Sequence, residues 1–283
     1  EGRMFIPNYE SLNTGFFITE KWLAGDFSIE SGIRVDFRNL DVFMRRNAEV
    51  VKDPYDYRAL SGMLSGKWEP TDSTSVLLSI STGWRPPGVN ELYSNGLHHG
   101  SASVEIGNKD LNEERSIGAN FSITHYLFNQ IEMELDAYYT DFNGFVYLQP
   151  IKPATLTVRG AFPTFRYMQA DADLYGADLQ LSRHLTSSIE LIGGASFIRA
   201  YNKDREAWIS QMPSDKWQLG LNWERTSADE MTKWGIGCSV DHVLKQTRGV
   251  SDDYVNAPAS YTITNIEVFM KRILKAHPIH ISL

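Results

Sequence analysis

Two adjacent imidazoles, His98 and His99, lie in the stretch ELYSNGLHHG at residues 91–100, among small, polar and turn-forming residues with no regular hydrophobic period. Neutral imidazole is a common ligand for zinc, copper and haem iron, so a histidine pair on a loop is a candidate contact for a metal or a metal chelate. Ordinary loop histidines, solvated or hydrogen bonded, have the same appearance in sequence. Trp84, Arg85, Glu91 and Tyr93 open the same segment and could line a ligand vestibule. They could equally shape a strand end, because Pro86 and Pro87 cannot donate to a ladder.

Glu132, Glu134 and Asp136 form a second group with chemical potential, a carboxylate trio of the kind that does acid and base work. Their spacing of two is what strand alternation produces on any polar face, so it carries no catalytic signal of its own. His125, His184, His242, His277 and His280 are scattered and read as structural. No Gly-x-Ser-x-Gly elbow, His-Glu-x-x-His or Gly-x-x-x-x-Gly-Lys is present, and the chain does not read as an enzyme. An outer-membrane barrel enzyme with rim residues would leave no local motif, and it stands as the rival of a different class.

The elements around these residues are strands. In IEMELDAYY (131–139), Ile131, Met133, Leu135, Ala137 and Tyr139 share one face and Glu132, Glu134 and Asp136 the other. The alternation recurs in FSIESGIRVDFR (27–38), WQLGLNWER (217–225) and WGIGCSVD (234–241). It predicts strands over 11–22, 26–38, 55–69, 74–83, 114–126, 131–148, 164–184, 188–201, 209–225, 231–247, 260–273 and 278–283. Several are two or three times the usual length of about five or six residues in soluble sheets, and long enough for the ~9–11 residues of a tilted membrane strand.

Tight links at 23–26, 70–73, 129–130, 185–188, 226–230 and 275–278 alternate with longer ones near 39–54, 84–113, 149–163, 202–208 and 248–259. Successive connections of an up-and-down sheet fall on opposite ends, so the long ones share one end. Outer-membrane barrels have this asymmetry and aromatic girdles as well, which the 7 Trp, 13 Tyr and 14 Phe here would supply. The fold expected is therefore all-β, an antiparallel up-and-down transmembrane β-barrel in part, with about a dozen strands of a larger barrel. A soluble all-β protein shares the alternation and is the alternative.

Composition narrows the partners. With 27 Lys and Arg against 35 Asp and Glu, the net charge is −8, and no basic cluster suits nucleic acid. The single Cys238 cannot form an internal disulfide or a thiolate metal site. No run of ~18 apolar residues offers a membrane-spanning helix, which leaves membrane strands untouched.

The segment GWRPPGVNELYSNGLHHGSASVEIGNKDLNEERSIGANFSIT (83–124) resembles the barrel of a TonB-dependent outer-membrane receptor. That family often carries a Phe-Arg-Ala-Pro-like box and an Asn-Pro-Asn-Leu-like box around an extracellular loop, with a Glu after the second. Trp84-Arg85-Pro86-Pro87 keeps the Arg and final Pro of the first, and Asn108-Lys109-Asp110-Leu111 keeps the Asn and Leu of the second, with Glu113 and Glu114 following. DAYYTDFNGFVYLQP (136–150), FRYMQADADLYGADLQLS (165–182) with Gly176 and Asp178, QMPSDKWQLGLNWE (211–224) and APASYTITNIEVFMK (257–271) are similar to its later strands.

The resemblance implies active uptake of an iron-siderophore, haem or metal across a Gram-negative outer membrane, powered through TonB. A non-iron nutrient such as an oligosaccharide, peptide or vitamin is the alternative cargo. It implies no resident cofactor and no nucleic-acid partner, and outer-membrane lipid around the barrel. Family barrels have about 22 strands and an N-terminal plug, so residues 1–283 are expected to be the C-terminal portion of one, the plug domain and N-terminal strands being absent. In haem-receptor members a loop histidine between the two boxes binds iron, and His98 or His99 falls in that interval. The ligand-contact set expected is His98, His99, Arg85, Glu91 and Tyr93.

Overall fold

The computed structural model describes residues 5–46, 49–128, 130–228, 231–249, 253–254, 256–273 and 278–282. His277 lies outside the described residues, and of His280 only the strand placement is described. In chain order the elements begin with β1 (Asn8–Ala24), β2 (Phe27–Arg46), β3 (Glu49–Thr71), β4 (Thr74–Arg85), α1 (Val89–Tyr93), β5 (Asn95–His98) and β6 (Ser103–Ile106). They continue with β7 (Glu114–Leu127), β8 (Ile131–Thr157), β9 (Gly160–Thr186), β10 (Ile189–Asn202) and β11 (Ala207–Trp208). β12 (Lys216–Thr226), β13 (Thr232–Val243), β14 (Tyr261–Ile273) and β15 (Pro278–Ser282) complete them. Twelve of these strands pair antiparallel in sequence order, β1 to β4, β7 to β10 and β12 to β15, with β1 and β15 at the two ends of the sheet.

The register shows why alternation is so consistent. One row of paired residues crosses eight strands as Phe27, Trp68, Val76, Ile123, Leu135, Leu179, Ala195 and Trp217. The adjacent row, one residue along each strand, reads Ser28, Lys67, Leu77, Ser122, Asp136, Asp178, Ser196 and Lys216. A step of one residue turns each side chain to the opposite face, so the sheet has one apolar and one polar side. On the apolar side Phe16 is 69%, Leu78 52% and Ile266 72% exposed, which rules out a packed interior there. A contiguous apolar surface of this kind is what lipid covers in a barrel. The polar side carries a recess of about 200 Å³ lined by Glu134, Asp136, Asp178, Lys216 and Gln218.

The strands outrun the expected lengths at the long-loop end. β2 and β3 stay paired from Leu40↔Tyr55 to Arg46↔Glu49, and β8 and β9 stay paired to Thr157↔Gly160. The loops expected at 39–54 and 149–163 are thus largely strand. Pro54, Pro150 and Pro153 do not stop them for a common reason. β4 pairs with β3 only from Met63 onward, and β7 pairs with β8 only up to Asn143, so these prolines sit on edge stretches that tolerate a missing N–H. Conversely, the strand expected to start at 209 starts at Lys216, and the one expected to reach 247 ends at Val243.

The main buried cluster lies at this same end. Leu40 and Val42 of β2, Val89 and Leu92 of α1, Leu111, Val146 of β8 and Tyr167 of β9 form it. Fully burying an aliphatic side chain such as Leu40 or Leu92 is worth about 1.5–3 kcal/mol each, enough to fix the connection in place. Leu40 and Val42 follow Arg34, Asp36 and Arg38 at spacing two on an unbroken strand, so they prolong the polar face of β2. The connection 86–111 therefore folds over the polar side of the sheet.

Candidate functional site

Arg85 ends β4 at the root of this connection. Its Nη1 makes a bidentate pair with Glu91 at 2.8 and 2.9 Å, and its Nε donates to Glu114. Glu114 is buried, and its other oxygen accepts the Val146 backbone N–H. Glu91 also accepts the Gly88 N–H at 2.7 Å, closing the first turn of α1 in capping-box fashion. The planar fork of arginine suits this triangle, since it can hold two carboxylates at once. Trp84 Nε1 reaches Asp36 at 3.5 Å.

Tyr93, at the far end of α1, binds β3. Its hydroxyl donates to Asp53 and meets the Tyr55 hydroxyl at 2.7 Å. Lys109 Nζ lies 3.2 Å from Asp53 and 4.2 Å from the Tyr93 ring centroid, adding an ion pair and a cation–π contact. Burial, then the hydrogen bond to the Asp53 carboxylate, raises the Tyr93 phenol above its ordinary range, so it stays a donor.

The histidines diverge. His98 ends β5, and its Nδ1 lies 2.7 Å from Glu105 Oε1 on β6. Glu105 is 5% exposed and is held further by the Ser101 hydroxyl at 3.3 Å and the Tyr167 hydroxyl at 3.1 Å. Asn90 of α1 donates to that same Tyr167 oxygen at 3.1 Å. Burial, then the Glu105 charge, pushes Tyr167 up to about 12. β6 is fixed by a parallel pairing that sets Glu105 opposite Phe165 of β9. The His98 ring stacks on Phe5 at 5.1 Å and its side chain remains 48% exposed. His99 is exposed, without a hydrogen-bond or ring partner among the described residues.

Four of the five expected contact residues thus fall into three groups, Arg85 with Glu91, Tyr93 with Asp53, and His98 with Glu105, and His99 stands apart from all three. Glu105, Asp53, Lys109, Asn90 and Tyr167 complete the site and were not singled out in sequence as its members, Lys109 having figured only in the second box. No group of three or more His, Cys, Asp or Glu suited to a metal ion occurs among the described residues.

At the same end, loops 203–215 and 244–260 are tied together. Arg199 of β10 grips Asp215 through both nitrogens at 2.5 and 2.8 Å, and Arg248 adds a bond at 3.0 Å. The Arg199 hydrogen bond, opposed by desolvation, holds the Asp215 carboxyl below the usual range. Buried Gln246 donates to the carbonyls of Met212 and Pro213 at 2.8 and 3.3 Å.

Comparison with known proteins bears on the whole sheet. A family model described as "TonB dependent receptor-like, beta-barrel" matches residues 2–272. The iron-regulated outer membrane virulence protein of Vibrio cholerae serotype O1 is 26% identical over 262 residues, 89% of this chain and 37% of that protein. The copper transporter OprC superposes with a TM-score of 0.74 at 17% identity, covering 94% of this chain and 41% of that one. The FrpB iron transporter from Neisseria meningitidis gives 0.61 at 15% identity, with 95% and 39% covered. The chain spans 37% of the length of the curated relative it matches. With its two-faced antiparallel sheet, its long connections gathered at one end and a family match over residues 2–272, this chain belongs to the TonB-dependent receptors and carries strands of their barrel in the Gram-negative outer membrane.

Proposed function

We propose that residues 1–283 serve as the C-terminal portion of a TonB-dependent uptake receptor for an iron-siderophore, haem or another metal chelate. The plug and the TonB contact belong to the rest of that receptor. The observation that carries the reading is the placement of the connection 86–113. It is anchored over the polar face by Arg85–Glu91–Glu114 and Tyr93–Asp53–Lys109, and it holds an imidazole, His98, half exposed. Capture by the loops then hands the ligand toward the polar side of the barrel, and TonB-driven rearrangement of the plug releases it. The relatives favour a metal cargo: a copper transporter, an iron transporter and an iron-regulated outer-membrane protein.

Uptake of radiolabelled iron, offered separately as haem and as ferric siderophore to cells producing the full receptor, tests this. The reading requires accumulation that stops when the inner membrane is de-energised. Accumulation that is absent for both forms of iron, or indifferent to de-energisation, would contradict it.

A further inference from the structure

We infer that the cavity between loops 203–215 and 244–260 is a saccharide-binding site, in which the side chains of Gln211, Asn256 and Arg248 hold the hydroxyls of a sugar. None of its lining residues belongs to the connection 86–113, and the inference goes beyond the uptake reading, since its ligand needs no metal.

The cavity measures about 620 Å³, within the range of about 300–1,000 Å³ usual for small-molecule pockets. Its two walls are tied together through one buried residue. Gln246 donates its side-chain N–H groups to the Met212 and Pro213 carbonyls at 2.8 and 3.3 Å, and its backbone N–H goes to the Pro258 carbonyl of the other wall at 3.1 Å. Its side-chain oxygen accepts the Arg248 backbone N–H at 3.0 Å, so the Gln246 amide is fully used as a brace. The Leu244 N–H, donating to the Asp215 carbonyl at 2.8 Å, and the Arg199–Asp215–Arg248 bridge close the same end. A ligand therefore meets walls already in place and does not have to order them.

The polar groups beside this brace are uncommitted. Among the described residues the Ser210 hydroxyl and the carboxamides of Gln211 and Asn256 have no hydrogen-bond partner. Arg248 gives one nitrogen to Asp215, and Asp253 gives one oxygen to the Tyr254 backbone N–H, so each keeps hydrogen-bonding capacity. Two carboxamides, a hydroxyl, a guanidinium and a carboxylate supply both donors and acceptors, which neighbouring sugar hydroxyls require because each is both. Met212 and Pro258 add apolar surface for the C–H face of a sugar ring. The lining holds one carboxylate and no imidazole or thiolate, a poor set for a transition metal. Gln211 is exposed and stands in the left-handed region at φ 64°, where a residue other than Gly is uncommon. Such conformations persist where the surroundings over-determine them, at ligand clamps among other places. Here the adjoining Met212 carbonyl is gripped by Gln246.

The full-length receptor in detergent, applied to an array of mono- and oligosaccharides and then titrated by calorimetry with each saccharide it retains, tests this. The array includes the core oligosaccharide released from the lipopolysaccharide of the producing cells. The native receptor should bind at least one saccharide saturably, with no metal added. Gln211→Ala and Asn256→Ala, both at exposed positions, should each weaken that binding about 2- to 10-fold, the worth of one neutral hydrogen bond. Asn256 lies outside the left-handed region, so its variant reports the side chain alone. Binding confined to the core oligosaccharide and weakened in the variants supports the site and makes the glycolipid of the surrounding leaflet its source. Binding of the other saccharides, weakened in the same way, supports it and makes an external sugar the source. Binding of no saccharide, or binding that both variants leave intact, overturns the inference. Iron uptake is not required to change in either variant, so the uptake reading stands or falls separately.

Discussion

Tyr93 and Asp53, 40 residues apart, are joined by a phenol-to-carboxylate hydrogen bond that ties the helix over the barrel mouth to the β2–β3 hairpin. Asp53 is also the anion of Lys109, so one carboxylate of β3 holds both ends of the segment between Tyr93 and the second box.

Tyr93→Phe removes that bond and the hydroxyl contact with Tyr55, and keeps the ring contact between them. A hydrogen bond to a charged group is worth about 1.5–3 kcal/mol, and the loss should appear as local opening rather than global unfolding. Amide exchange across 86–111 should quicken while exchange in the paired strands below stays unchanged. The pH dependence follows from a phenol raised above its ordinary value of 10 by burial and by Asp53. The stabilisation is complete below pH ~10, the unfolded value, and is drawn down as pH rises toward the higher folded value. Protease sensitivity of the segment should therefore grow at strongly alkaline pH in the native chain, whereas Tyr93→Phe, with no phenol to ionise, should be more sensitive already at neutral pH and show less of that rise.

Arg85→Ala leaves Glu114 buried without its cation, and removing one partner of a buried pair costs about 3–5 kcal/mol. Part exposure of Arg85 places the expected loss toward the lower bound. Arg85→Lys should recover little, since an ammonium cannot span Glu91 and Glu114 with a fixed fork. Thermal denaturation of the two variants in detergent, followed by the mobility of heat-treated and untreated samples, measures this.

Asp215 holds Arg199 and Arg248 with a depressed carboxyl. A lowered folded value gives stability that is present above 3.8, the ordinary value, and lost as pH falls through the folded one. Cleavage within 244–260 by an acid-active protease should rise below pH ~4. Asp215→Asn should be cleaved in that segment already at neutral pH, by a protease active there, where the native chain resists it.

Leu78 and Ser79 are neighbours in β4 that face opposite sides of the sheet. Leu78→Arg puts a guanidinium on the lipid side and should cost about 2–4 kcal/mol near the bilayer midplane. Ser79→Arg faces the polar side and should cost little. Comparing the folding yields of the two into lipid vesicles gives the sidedness directly.

Much of this barrel is legible in its sequence because side-chain alternation is a local signal. The faces of 131–139, 217–225 and 234–241 follow from spacing alone, and the tight turns at 25–26, 72–73 and 187–188 follow from their composition. Prolines mislead at 54, 150 and 153, because tolerance for them depends on whether a third strand lies alongside. The helix Val89–Tyr93 is too short to show a period, although Glu91 three residues after Gly88 carries a capping signal. Glu105 and Asp53 escape for a different reason. Their roles arise from pairings across 60 and 40 residues, Glu105 against Phe165 and Asp53 against Tyr93, which no local pattern encodes.

The measurement that bears most directly on the account is an absorbance titration of the full-length receptor with haemin, alongside ferric siderophore quenching of tryptophan fluorescence. Native receptor, His98→Ala and His99→Ala should be compared. The account predicts saturable binding of a metal-containing ligand by the native receptor, with the two variants showing whether an imidazole of the loop meets it. Binding of neither probe would contradict it.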